Sequence, residues 1–147
     1  MVAEIVAAEL SNYEVDIEPI TYAKGKKPKF KGEREKIGKG DLSSFEFSER
    51  IFDLSPYELV CIGTPTWGGL PAYIIMGYIE KCNTFEGKAI VLFNTCRFYI
   101  GRTIKDMKTA IEEKGGRVIK EKSFKKFFRM KEKDPRAFGK ELNQYRP

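Results

Sequence analysis

The chain has no histidine at all and a single tryptophan. Without an imidazole it lacks the side chain that ordinarily titrates between pH 5 and 8, which excludes the commonest general base, nucleophile orienter and pH switch. Its three cysteines, Cys61, Cys82 and Cys96, lie far apart with no CxxC pair and no histidine to join them, so no metal site is expected within one chain. No apolar run approaches the roughly 18 to 20 residues that a membrane-crossing helix needs, and the N-terminus lacks the basic-then-apolar order of a secretory signal. A cytoplasmic protein with unpaired thiols and no membrane contact is therefore expected. With so thin an acid–base repertoire, any chemistry is expected to belong to a cofactor.

What is present suits one globular domain over residues 1–147, with 41% of residues hydrophobic. The formal charge of +6 is uneven, because Lys24 to Lys39 carries eight basic residues against Glu33 and Glu35. Residues 24–40 are expected to form a solvated basic loop. A second basic stretch, Lys120 to Arg136, carries eight Lys and Arg against Glu121, Glu132 and Asp134, so the rest of the chain is mildly acidic.

The hydrophobic periodicity divides the chain into elements. Val2, Ile5, Val6 and Leu10 share one face of a helix in which the sequence opens. Tyr13 to Ile20 alternates as an edge strand would, and Asp41 to Leu54 is a weak helix or an irregular packing segment. From Tyr57 the pattern sharpens. Leu59 to Ile62 and Ala89 to Phe93 are continuous apolar runs of the kind that parallel strands buried on both faces require. A helix beginning at Pro71 presents Ile74, Ile75, Tyr78, Ile79 and Cys82, and another from Thr103 to Lys114 presents Ile104, Met107 and Ile111. Val118 to Phe128 is a further strand candidate, and Asp134 and Pro135 start a last helix carrying Phe138 and Leu142. This β-α-β-α-β-α alternation predicts an α/β fold, a parallel sheet with helices on both faces.

In such a sheet ligands bind beyond the carboxyl ends of the strands. Two segments occupy that place: Thr64, Pro65, Thr66, Trp67, Gly68 and Gly69 after one buried strand, and Thr95, Cys96, Arg97, Phe98, Tyr99, Ile100 and Gly101 after the next. A buried strand running into Gly63-Thr64-Pro65-Thr66-Trp67-Gly68-Gly69, a helix, the strand Gly87 to Phe93 and a Thr/Gly-bearing loop together resemble the flavodoxin family and its FMN-dependent quinone-reductase relatives. The resemblance spans about Tyr57 to Leu142, with support from Val2 to Ile20.

The resemblance implies that the two loops bracket the isoalloxazine ring of FMN. That fits the residue types, since a flavin needs an aromatic plane and small residues that bring backbone N–H groups to its polar edge. Trp67 would supply the plane, Thr66, Gly68 and Gly69 the edge, and Phe98 or Tyr99 the opposite face, while Arg97 could offset negative charge on the flavin. The implied function is an FMN-binding redox protein, transferring electrons to a partner protein or reducing a small acceptor; as an enzyme it would be an FMN-dependent oxidoreductase. The alternative is a cofactor-free module of the same fold that binds a partner through its basic surface. Nucleic acid is not expected, because the basic run has no stacking aromatic beyond Phe30.

Two departures from the family are visible. Met1 falls inside the helix that should follow the family's phosphate-binding loop, so the first strand and that loop are expected to be missing, and no residue takes the phosphate role. The chain is also basic where electron-carrying flavodoxins are acidic. A gap between the strand at Tyr13 to Ile20 and the strand at Glu58 to Ile62 would leave backbone groups unpaired. Either these two strands pair directly or a second copy closes the gap, and a homo-oligomer is the expected outcome.

Overall fold

A computed structural model of the chain describes residues 2–26, 31, 35, 46–47, 52–125 and 133–145. Its elements run α1 (Val2–Ala8), β1 (Leu59–Trp67), β2 (Leu70–Pro71), α2 (Tyr73–Lys81), β3 (Ala89–Cys96), α3 (Thr103–Glu112), β4 (Arg117–Lys125) and α4 (Lys133–Leu142). The strands form one sheet in the order β2-β1-β3-β4. β1, β3 and β4 are parallel, with Leu59 opposite Ala89 and Ala89 opposite Arg117, and β2 folds back antiparallel on the end of β1. The architecture is the expected α/β arrangement, with that short antiparallel hairpin added. Among the described residues no helix is long and apolar enough to cross a membrane.

Alternation along each strand sends apolar side chains to two separate cores. On one face Ile62, Ile90 and Leu92 meet Ile75 and Ile79 of α2 and Met107 and Ile111 of α3. On the other, Val91, Phe93 and Phe124 meet Val6 and Leu10 of the α1 region and Phe138 and Leu142 of α4. Gly139 lets α4 approach α1 closely: a Cβ there would stand 2.7 Å from the Val6 carbonyl oxygen. The same helix pair is tied by Arg136 to Glu9 at 2.6 Å and by the Asn143 amide donating to the Glu9 carbonyl at 2.6 Å. Lys114, just past α3, donates its ammonium to the carbonyls of Ile79, Glu80 and Cys82. Ile79 and Glu80 lie in the last turn of α2 and Cys82 just past it, where carbonyls have no acceptor role within the helix ladder.

Two sequence expectations need correction, and one of the two alternatives for the gap in the sheet is not realised. Pro71 does not open a helix. It ends β2 opposite Thr66, a position where its missing N–H is harmless at the sheet edge, and α2 begins at Tyr73. Tyr13 to Ile20 is not a strand. Alternation fixes which side chains share a face, but a strand exists only when its backbone finds a ladder, and this stretch has none among the described residues. Nor does it pair directly with Glu58 to Ile62. The basic run at 24–40 and the segment 41–54 lie largely outside the described residues.

Between residues 13–20 and β1 runs an open groove of about 1000 Å³. Tyr57 donates its hydroxyl to Asp16 at 2.9 Å and helps hold the stretch in place as the outer wall. Val15 and Ile17 remain 38% and 49% exposed along it. Cys61 opens onto the groove and is solvent-accessible, yet protein surrounds it on its other sides, and that desolvation pushes its thiol up to about 12.

Candidate functional site

The segment from Thr64 to Gly69, expected as a loop, is the end of β1 followed by a two-residue turn. Gly68 and Gly69 have φ of 59° and 79°, and Trp67 pairs with Leu70 across them. Positive φ at both central residues is the signature of a type I′ hairpin, which glycine adopts without strain. The turn therefore lifts Trp67 onto the surface at the carboxyl end of the sheet.

The second segment is fastened to this hairpin by backbone. Gly101, with φ of 59°, lies so close to Gly69 that an added Cβ would stand 2.2 Å from the Gly69 carbonyl oxygen. That same oxygen accepts the Arg102 N–H at 2.7 Å. The Tyr99 ring covers Gly69, with Cε1 2.8 Å from where a side chain would begin. Only glycine at both positions permits this approach. Gly68 differs: an added Cβ would meet nothing within 4 Å, so its surface is free for a ligand.

Beneath the two segments a polar chain links three strand ends and a helix start. Ser123 donates to the Asn94 side-chain oxygen Oδ1 at 2.6 Å, the Asn94 side-chain amide Nδ2 donates to Thr66 Oγ1 at 2.6 Å, and Thr66 donates to Thr103 Oγ1 at 2.9 Å. Asn94 and Thr103 are fully buried, so each of these bonds offsets the desolvation of groups that would otherwise be unpaired. Thr64 Oγ1 accepts the Ala72 N–H at 3.1 Å, which fixes the start of α2.

The sequence-predicted residues thus divide by what they touch. Thr64, Thr66, Gly69, Cys96 and Gly101 bond or pack within the protein and form the scaffold, and Thr95 is half-buried beside them. Pro65, Trp67, Gly68, Arg97, Phe98 and Tyr99 face outward. Trp67, Phe98 and Tyr99 are 60%, 65% and 73% exposed, and Arg97 stands over the Phe98 ring at 6.0 Å. Six large hydrophobic residues are exposed among the described residues: Trp67 and Leu70 flank the hairpin turn, Phe98 and Tyr99 belong to the second segment, and Val15 and Ile17 line the groove. Exposed aromatics gathered on two mutually braced segments make these segments the candidate site rather than part of the core. The groove reaches this surface, ending against Thr64, Pro65, Trp67 and Thr95. Asn94, Thr103 and Ser123 escaped the sequence reading. Their signal was polar residues at the carboxyl ends of adjacent strands and at the following helix start, positions that an apolar core would not select.

A family model described as Flavodoxin matches residues 1–129. The chain belongs to the flavodoxin family. Solved flavodoxin-like structures agree with the fold: a flavoprotein from Bacteroides uniformis ATCC 8492 is similar at 20% identity, with 98% of this chain and 88% of that one covered and a TM-score of 0.64. A flavoprotein of Lactobacillus acidophilus NCFM in complex with FMN is similar at 17% identity, covering 83% and 82%, with a TM-score of 0.62. An archaeal flavodoxin is similar at 13% identity, covering 97% and 86%, with a TM-score of 0.53. No curated protein matches the chain.

Proposed function

We propose that this member of the flavodoxin family binds FMN by its isoalloxazine ring, between the hairpin at Trp67–Leu70 and the loop at Arg97–Gly101, and works as a flavin-linked redox protein. The observation that carries the reading is the exposure of Trp67, Phe98 and Tyr99 on two segments locked together through Gly69 and Gly101. The residues fit a flavin ring. Trp67 offers a plane, Gly68 offers backbone with open space beside it, and Tyr99 or Phe98 offers a second plane. Arg97 brings a positive charge toward an anionic or electron-rich ligand.

When bound, FMN supplies electron transfer that no side chain here provides. The chain's own part is to position the ring and tune it. Asn94, Thr66 and Thr103 hold the supporting strands rigid beneath it, and the Gly69–Gly101 contact keeps the two loops at a fixed separation. The electron acceptor is a partner protein or a small molecule reached at this exposed end.

Calorimetric titration with FMN and with riboflavin tests the reading. All proposed contacts are to the ring, so both ligands bind one to one with affinities within about tenfold of each other. Absence of saturable binding by either flavin overturns the proposal, and a much larger preference for FMN would shift its main anchor to the phosphate.

A further inference from the structure

The carboxyl end of the sheet carries charge of one sign. No acidic residue occurs from Leu59 to Ile79 or from Gly87 to Lys105, the stretches that hold β1, the hairpin, most of α2, β3 and the second segment. Exposed cations stand at this end instead: Arg97 in the second segment, Arg102 and Lys105 at the start of α3, and Lys125 where β4 ends opposite Cys96. On these elements the one carboxylate is Asp106, held by Arg102 at 3.1 Å, and the Arg102 side chain is still 69% exposed. α2 and α3 both start here, so the positive ends of two helix dipoles add to the same field. The other end of the sheet is mixed, with Glu58, Glu80 and Glu86 beside Lys81, Lys88 and Arg117. Glu4, Glu14, Asp16 and Glu18 line the groove, which borders β1 on the side away from β3.

We propose that Arg97, Arg102, Lys105 and Lys125 form a docking surface for an acidic protein, the redox partner of the flavin end. As a redox partnership this rests on the flavin reading, whereas the docking rests on the charges alone. A small anion needs cations that converge in an enclosed pocket. These four are exposed and belong to three separate elements, an arrangement that suits the broad carboxylate-bearing face of a protein. A single-stranded nucleic acid would need Trp67, Phe98 and Tyr99 as stacking platforms, and in the flavin reading the ring takes them. Exposed charges around such a surface act chiefly on encounter, raising the association rate of an oppositely charged partner and turning away a like-charged one. A basic partner therefore meets repulsion at this end, with no carboxylate from Leu59 to Ile79 or from Gly87 to Lys105 to offset it.

The probe is cytochrome c with its lysines succinylated, an acidic haem protein, and native cytochrome c is its basic counterpart. Calorimetry on the flavin-saturated chain should show that the acidic form binds and the native form does not. Raising ionic strength from about 10 mM to about 0.3 M should weaken that binding about tenfold or more. Lys105→Glu combined with Lys125→Glu should weaken it about tenfold or more, and Lys81→Glu combined with Arg117→Glu, the same charge change at the other end, less than about twofold. None of these four residues belongs to the proposed ring contacts, so riboflavin titration of the same samples is a separate readout. Docking that persists without flavin binding overturns the flavin reading and supports the acidic docking surface. Flavin binding without docking overturns the docking surface alone. Equal binding of the two cytochrome forms, or equal effects of the two charge pairs, also overturns it. So does tighter binding of a dodecathymidylate strand that the Lys105 and Lys125 substitutions abolish, since the surface would then serve nucleic acid.

Discussion

β1 and β3 lie side by side and are built from the same kind of sequence, yet they end in different surroundings. Ile90, Val91 and Leu92 of β3 are wholly buried, while in β1, registered directly against them, Val60 is half-buried, Cys61 is exposed and Ile62 is 6% exposed. β3 has β1 on one side and β4 on the other, whereas β1 has β3 and, for most of its length, a groove. A continuous apolar run states how much burial a strand can use; the neighbours decide how much it receives. The difference also separates two parts of the molecule, a braced aromatic surface at the strand ends and an open edge beside it.

The largest expected effect tests that contrast. Leu92→Ala should cost about 2 to 5 kcal/mol of folding stability, the range for deleting a buried leucine. Val60→Ala, next to the groove, should cost less than about 1 kcal/mol because part of its side chain already meets water. Urea denaturation of both variants decides the matter, and equal losses would mean that the groove is filled in solution.

Next come two glycines with the same φ and different surroundings. Gly101→Ala should cost about 2 kcal/mol or more, combining a left-handed backbone with a clash against Gly69, and should loosen flavin binding. Gly68→Ala carries only the backbone penalty of about 1 kcal/mol. Thermal unfolding of the pair compares them; identical shifts would deny the Gly69–Gly101 brace.

Trp67→Ala should barely change stability, since the ring is largely exposed, but should weaken flavin binding about fivefold, or about 1 kcal/mol, on the scale of aromatic stacking. Titration of the variant checks this. The smallest effect concerns the surface pair of Lys120 and Glu141. The hydrogen bond and charge of Lys120 hold the Glu141 carboxyl below its ordinary value of 4.5, and Glu141 raises Lys120. A lowered acid stabilises above its unfolded value, so the contribution of Glu141 is present above pH 4.5 and is lost as pH falls through the lower folded value. Glu141→Gln should abolish that acid-side slope at low salt, as followed by denaturation between pH 3 and 6.

Much of this arrangement was legible in the residues. The apolar runs at Leu59 to Ile62 and Ala89 to Phe93 became adjacent parallel strands, and the stripes at Ile75, Ile79, Met107 and Ile111 became one core. The hairpin at Trp67 was hidden because Pro65, Gly68 and Gly69 read as a loop and Pro71 as a helix start. Two glycines between pairing residues are also a hairpin signal, and proline is tolerated at an edge. Tyr13 to Ile20 misled for the opposite reason: local alternation was present, and the ladder that would make it a strand was not. The gathering of Thr64, Trp67, Phe98 and Tyr99 at the strand ends follows from topology, whereas the bonds among Asn94, Thr66, Thr103 and Ser123 depend on rotamers and register that no spacing rule contains.

Trp67 is the only tryptophan in the chain, so its fluorescence lifetime reports on the proposed flavin surface alone. The account predicts that adding FMN or riboflavin shortens that lifetime saturably, with the midpoint given by calorimetric titration. Saturable flavin binding that leaves the Trp67 lifetime unchanged would place the ring elsewhere and contradict it.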